Sequence, residues 1–82
     1  MGKGVRARPV TCKEFKAVLR SLGFEPRPQT ATSHEQWVRH EPVFRKVTVD
    51  CPKAPFTGAL LSMMLHQAGL TKTEFFSILA RL

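Results

Sequence analysis

Two Thr-x-x-Glu tetrads, Thr11 with Glu14 and Thr71 with Glu74, stand near opposite ends of this chain and constrain its fold more than any other feature. In such a box the threonine hydroxyl accepts the N–H three residues on, and the glutamate reaches back to the threonine N–H, so a helix starts there. Each box carries a hydrophobic staple, Val10 with Phe15 and Leu70 with Phe75. After the first box Cys12, Phe15, Leu19 and Leu22 recur at helical spacing, with Val18 widening the stripe. Gly23 then offers a natural C′ residue, so a helix is predicted over residues 12–22. After the second box Phe75, Ile78, Leu79 and Leu82 form the stripe of a closing helix. A further helix is expected to begin at Thr57 as N-cap and to end before Gly69, with Leu60, Leu61, Met64, Leu65 and Ala68 as its apolar face.

Between these helices the pattern changes from a period of 3.6 to a period of two. Residues 45–51, RKVTVDC, are the clearest strand: Val47, Val49 and Cys51 point one way, Lys46, Thr48 and Asp50 the other. Residues 34–40 form a second extended segment. If Trp37 joins the valines on the core side, His34, Gln36 and His40 project from the opposite face. Residues 24–30 contain Pro26 and Pro28, whose missing N–H groups fall on one side of an extended chain, so this segment reads as an edge strand with that side turned to solvent. Glu41-Pro42 turns the chain, and residues 52–56 read as a Pro-rich connection that is neither strand nor helix. The resulting order, α-β-β-β-α-α, predicts an α+β fold with a three-stranded antiparallel sheet and the helices on one face.

At 82 residues the chain holds one domain, with residues 1–9 as a flexible basic lead-in and residues 10–82 as the domain. A two-domain enzyme with a cofactor cleft is excluded. No apolar run is long enough to span a bilayer, no secretory leader is read, and Arg6 occupies the place where a myristoylation signal needs Ser or Thr. Thirteen Lys/Arg against six Asp/Glu give a net charge of +7. Lys3, Arg6 and Arg8 lie in the lead-in, and the remaining ten basic residues still outnumber the six acidic ones. That balance points to nucleic acid, an acidic protein partner, or both. Cys12 and Cys51 are too few for a disulfide scaffold and form no CxxC or CxxH pair, so both read as reduced, buried thiols in a cytosolic protein.

No Gly-rich phosphate loop, HExxH, GxSxG or Asp-rich metal cluster occurs, and no acidic pair sits at a spacing suited to acid/base or two-metal work. Three histidines remain. His34 stands where the polar loop 30–33 meets a strand, and an imidazole titrating near neutrality can take a proton from a ribose 2′-OH or give one to a leaving oxygen. Such cleavage needs no metal. His40 lies beside the Glu41-Pro42 turn, and His66 sits near a helix C-terminus. Ser33 and Thr32 stand beside His34 and are candidates to contact phosphate or orient it. Arg27, Arg39, Arg45, Lys46 and Lys53 surround the sheet and are candidates for phosphate contacts. Trp37 reads as core rather than as a base-stacking platform, and Met63 and Met64 as core or partner-facing residues.

Several residues then fall into a recognisable order. A short helix leads to Gly23-Phe24 and a polar loop. Ser33-His34 follows, with Trp37 three residues on, then Lys46-Val47-Thr48-Val49 and Pro52-Lys53. A helix ends in Gln67-Ala68-Gly69-Leu70, and a Phe-containing helix closes the chain. Over about residues 11–80 this order and spacing resembles the HicA family, the small toxins of HicA–HicB toxin–antitoxin systems. The resemblance implies a double-stranded-RNA-binding-domain-like fold and a cytoplasmic endoribonuclease that cuts mRNA and arrests growth. It places the family's active histidine on His34 and implies a HicB antitoxin that binds the toxin and blocks its site. No metal and no small-molecule cofactor is implied. The family commonly has glycine in the loop before its Ser/Thr-His pair, and Ala31 stands about there in this chain. The third helix is present in only part of the family. RNA cleavage by 2′-OH attack wants both a base and an acid, and the residues alone name only His34. A non-catalytic RNA-binding module and a small protein-interaction domain are the alternatives that composition leaves open.

Overall fold

The computed structural model describes residues 8–28 and 34–82. The elements run α1 (Cys12–Ser21), β1 (Glu25–Pro26), β2 (His34–Arg39), β3 (Arg45–Asp50), a 3-10 turn (Cys51–Lys53), α2 (Gly58–Ala68) and α3 (Lys72–Arg81). The fold is α+β with an antiparallel three-stranded sheet in the order β1-β2-β3. Most of the lead-in, residues 1–7, and the loop residues Ala31, Thr32 and Ser33 lie outside the described residues.

Both capping boxes form. Thr11 and Thr71 each accept the N–H of the glutamate three residues on, and Glu14 and Glu74 each accept the threonine N–H. Two orphan donors are thereby satisfied at each start, and each cap is worth about 1 kcal/mol. α2 begins differently: Thr57 occupies the N-cap position but makes no side-chain cap hydrogen bond, and Gly58 follows at φ +53°. α2 ends as expected on left-handed Gly69 at φ +77°, where a Cβ would stand 2.5 Å from the Arg45 guanidinium carbon. The backbone angle calls for glycine there, whereas the Arg45 side-chain end is free to give way to a Cβ.

The register of β2 and β3 pairs Trp37 with Val47 and Glu35 with Val49 on one face, and His34 with Asp50 and Gln36 with Thr48 on the other. α1 covers the first face. Phe15, Val18 and Leu19 join Trp37, Val47 and Val49 in the buried core, and the Arg20 guanidinium lies 5.1 Å from the Trp37 ring centre. Phe75 of α3 stacks on Phe15 at 5.2 Å. Trp37 is core, as its spacing predicts, and its indole N–H donates to Glu35 at 3.1 Å. α2 runs beside the outer edge of β3, where the Gln67 side-chain oxygen accepts the Thr48 N–H at 3.1 Å. The β3 edge is therefore covered by a helix rather than left open for another strand.

Three expectations change. Cys12 and Cys51 are not reduced thiols: they form a disulfide with Cα atoms 5.3 Å apart, and both are only half-buried. Folding brings the first residue of α1 against the residue after β3, within ordinary disulfide reach, across 39 positions of sequence. The Pro-rich connection is not irregular throughout, since Cys51–Lys53 close a 3-10 turn and Phe56 pairs through its backbone with Val10. β1 is shorter than the extended pattern of residues 24–30. Pairing covers only Glu25 and Pro26, because prolines lack the N–H a longer ladder needs. Arg27 still donates its N–H to the Gln36 carbonyl at 2.8 Å, so β1 is the edge strand the proline spacing requires.

Candidate active site

Backbone register brings the principal site residues together. The Thr48 N–H points to Gln67 of α2, away from β2, and the Gln36 carbonyl points to β1, away from β3. Gln36 and Thr48 thus face each other as a non-hydrogen-bonded pair, the kind in which side chains approach most closely. The Thr48 hydroxyl takes this opportunity and donates to the Gln36 side-chain oxygen at 3.0 Å. Two residues along, His34 faces Asp50 in the same kind of pair, and His34 Nε2 lies 3.7 Å from Asp50 Oδ2. The imidazole is half-exposed while the carboxylate is largely shielded, 55% against 14% of side-chain surface.

His34, Thr48 and Asp50 form one wall of a cleft of about 130 Å³, continued by Lys53 from the 3-10 turn. The opposite wall is apolar: Leu60, Met63 and Met64 of α2, with Phe56 at its base. The arrangement places a proton-transfer group, a carboxylate and a cation beside one apolar surface. It can receive a phosphodiester at the polar wall and exclude water along the other.

The floor beneath His34 is braced from the core side. Glu35 accepts hydrogen bonds from Lys16 Nζ at 2.7 Å and from the Trp37 indole, and the Cys51 sulfur lies 3.8 Å from it. Partial burial opposes ionisation of Glu35, but the Lys16 and Trp37 hydrogen bonds and the Lys16 and Arg20 charges outweigh it and hold the carboxyl below its ordinary range. This anionic hub ties α1 to β2 one residue from the histidine.

The remaining candidates are dispersed. Lys53 lines the cleft with His34. Lys46 stands on the same sheet face, two residues from Thr48 and opposite Val38. Arg27 is exposed beside β1. Arg39 donates to the Leu22 carbonyl at 3.2 Å and lies 4.8 Å from the Phe24 ring centre, so it fastens the end of α1 to the sheet. Arg45 lies against Gly69 at the α2 C-terminus, where the helix dipole favours a cation. His40 packs against Phe44 at the β2–β3 turn, 5.4 Å between ring centres, and His66 is exposed on α2. Thr32 and Ser33 lie outside the described residues. Among the described residues no group of three His, Cys, Asp or Glu side chains is placed to hold a metal ion, and no helix is long and apolar enough to cross a membrane.

Asp50 is the site residue that sequence reasoning missed. Strand parity already puts His34 and Asp50 on faces opposite Trp37 and the valines, but only the hairpin register makes them neighbours. No protein-family model matches this chain, and neither the curated proteins nor the solved structures contain a significant match to it.

Proposed function

We propose that this chain is a cytoplasmic endoribonuclease of the HicA type, a growth-arresting toxin that cuts messenger RNA and is held inactive by a HicB-like antitoxin covering the cleft. The observation that carries the reading is the His34–Asp50 pair, 3.7 Å apart, sharing one cleft with Lys53 on a chain of net charge +7. The α-β-β-β-α order with α1 against the sheet supports a double-stranded-RNA-binding-domain-like fold as the scaffold.

In the proposed reaction a ribose 2′-oxygen attacks the adjacent phosphorus, a new O2′–P bond forms and the P–O5′ bond breaks. His34 makes one of the two proton transfers, taking the 2′-OH proton or giving one to the departing 5′ oxygen, and water makes the other. Asp50, across the strand pair at 3.7 Å, acts through His34 as a positioning residue that keeps a carboxylate beside the ring. Lys53, with Lys46 further along the face, draws the phosphate in. The products are a 2′,3′-cyclic phosphate and a 5′-hydroxyl, and neither metal nor cofactor enters the balance.

The deciding experiment incubates the purified chain and its His34→Ala variant with a defined mRNA in EDTA and maps the ends. Cleavage with cyclic-phosphate ends is expected from the parent, lowered about 10²–10⁴-fold in the variant. Equal cutting by both, or no cutting by the parent, overturns the assignment of His34. Asp50→Asn is expected to reduce the rate without lowering the melting temperature, with Asp50→Glu restoring part of the rate.

Cytoplasmic action places the chain where thiol pools keep cysteines reduced. The reading therefore requires that the chain stay folded with the Cys12–Cys51 bridge open.

A further inference from the structure

The cleft has a second wall that proton transfer does not use. Met63 is 50% exposed, while its helical neighbours Leu61, Met64 and Leu65 are buried, so the core does not need it. It stands at the cleft lip with half-buried Leu60, across from His34, Thr48 and Asp50. A half-exposed thioether facing a polar wall is poor packing but a good surface for the flat face of an aromatic ring.

We propose that this cleft seats one unpaired nucleotide, its base against Met63 and Leu60 and its phosphodiester at His34 and Lys53, so that the chain selects single-stranded over duplex RNA. The inference rests on the reading of the chain as an RNA-cleaving enzyme and names the substrate class of that same site. Three arguments carry it. The two walls differ in chemistry as the two halves of a nucleotide do, apolar for the base and polar for the phosphate, with Lys53 as its cation beside Asp50. In a duplex the bases are paired and stacked inside, and an A-form surface offers a protein phosphates, 2′-hydroxyls and base edges but no base faces. Met63 and Leu60 would then meet polar edges and backbone, whereas a single strand can turn a base face onto such surfaces. Finally, attack by the 2′-oxygen requires it to line up behind the phosphorus opposite the departing 5′ oxygen. The regular A-form backbone does not present that alignment, and an unpaired nucleotide can rotate into it.

The proposal makes α2 a specificity element. Its Gln67 fixes β3 through Thr48, and one turn earlier Met63 touches the base, so the same helix sets both the strand and the pocket width.

The test measures equilibrium binding by fluorescence anisotropy, using 2′-O-methyl RNA that resists cleavage, as a single strand and as the same sequence in a duplex. The parent chain is expected to bind the single strand at least 10-fold more tightly. Met63→Ala is expected to weaken single-strand binding about 3- to 10-fold and leave duplex binding unchanged. Lys53→Ala is expected to weaken both and to reduce the salt slope by about one. Thermal melts of each variant confirm that the fold is intact. Equal or tighter binding of the duplex, or a Met63→Ala chain with parental single-strand affinity, overturns the proposal. Because the probe is uncleavable, the result is separate from the enzymatic reading. A chain that cuts single strands and duplexes alike keeps the nuclease and loses this pocket. A chain that binds single strands through Met63 but never cuts keeps the pocket and loses the nuclease.

Discussion

The two sides of the sheet are built to different standards. On the side under α1 and α3, both helices begin with complete capping boxes, Phe15 stacks on Phe75, and Glu35 is fixed by Lys16 and the Trp37 indole. On the side between β3 and α2, the helix starts without a side-chain cap, the histidine is half-exposed, and a methionine stands at the lip of an open cleft. The same two strands make both faces, and alternation along each strand keeps them apart. The chain thus concentrates its stability on one face and leaves the other free to take a ligand.

The largest expected break is Trp37→Ala. It removes the largest fully buried side chain and one donor to Glu35, and it should cost about 3–5 kcal/mol in unfolding free energy, read from the denaturant midpoint at constant slope. His34→Ala, on the other face, should change the same quantity by less than about 1 kcal/mol. A comparable loss from both would mean that the two faces do not divide the work as argued.

Next comes the bridge between the sides. The Cys12–Cys51 disulfide spans 39 positions, and the chain-entropy estimate for a loop of that length is roughly 4 kcal/mol. Reduction, or the Cys12→Ser/Cys51→Ser pair, should lower stability by up to about that amount and leave a cooperative unfolding transition. Loss of that transition would show that the core alone does not hold the sheet, and would count against action in a reducing compartment.

Local signals carried most of the first side. Each capping box spans four residues, the valine alternation spans five, and the helix stripes repeat within a few turns, so each can be read without knowing what lies opposite. The site required distant information. Asp50 faces His34 only because the turn at 40–44 sets Arg39 opposite Arg45, after which every pair follows. The cleft requires in addition that α2 return along β3, fixed by the Gln67 contact to Thr48. The disulfide was illegible for the same reason: two isolated cysteines 39 positions apart carry no spacing signal. Arg39 shows the converse, a basic residue whose charge suggested a ligand and whose side chain instead closes the end of α1.

A smaller effect tests the hub beneath the site. Glu35 is held below its ordinary carboxyl range, so its contribution is present at neutral pH and is lost as pH falls through its folded-state value. Glu35→Gln should destabilise the chain by roughly 1–2 kcal/mol at pH 7, since charged hydrogen bonds are replaced by neutral ones in a partly exposed pair. The gap between parent and variant should narrow in acid as the parent carboxyl protonates. A gap independent of pH would locate the effect in packing rather than in the ion pair.

The smallest effect separates the helix starts themselves. Thr71→Ala removes a formed cap on α3 and should cost about 1 kcal/mol. Thr57→Ala removes a threonine that caps nothing at the start of α2, so the stability change should stay within about 0.5 kcal/mol. Paired thermal melts decide between them. If the two substitutions cost the same, Thr57 caps α2 in solution, and the helix that walls the cleft is as firmly started as the two that build the core. If only Thr71 matters, α2 owes its place to Leu61, Met64, Leu65 and Ala68 packing inward rather than to its own first turn. A substitution such as Met63→Ala would then change the cleft without loosening the helix that carries it, because Met63 lies outside that inward set.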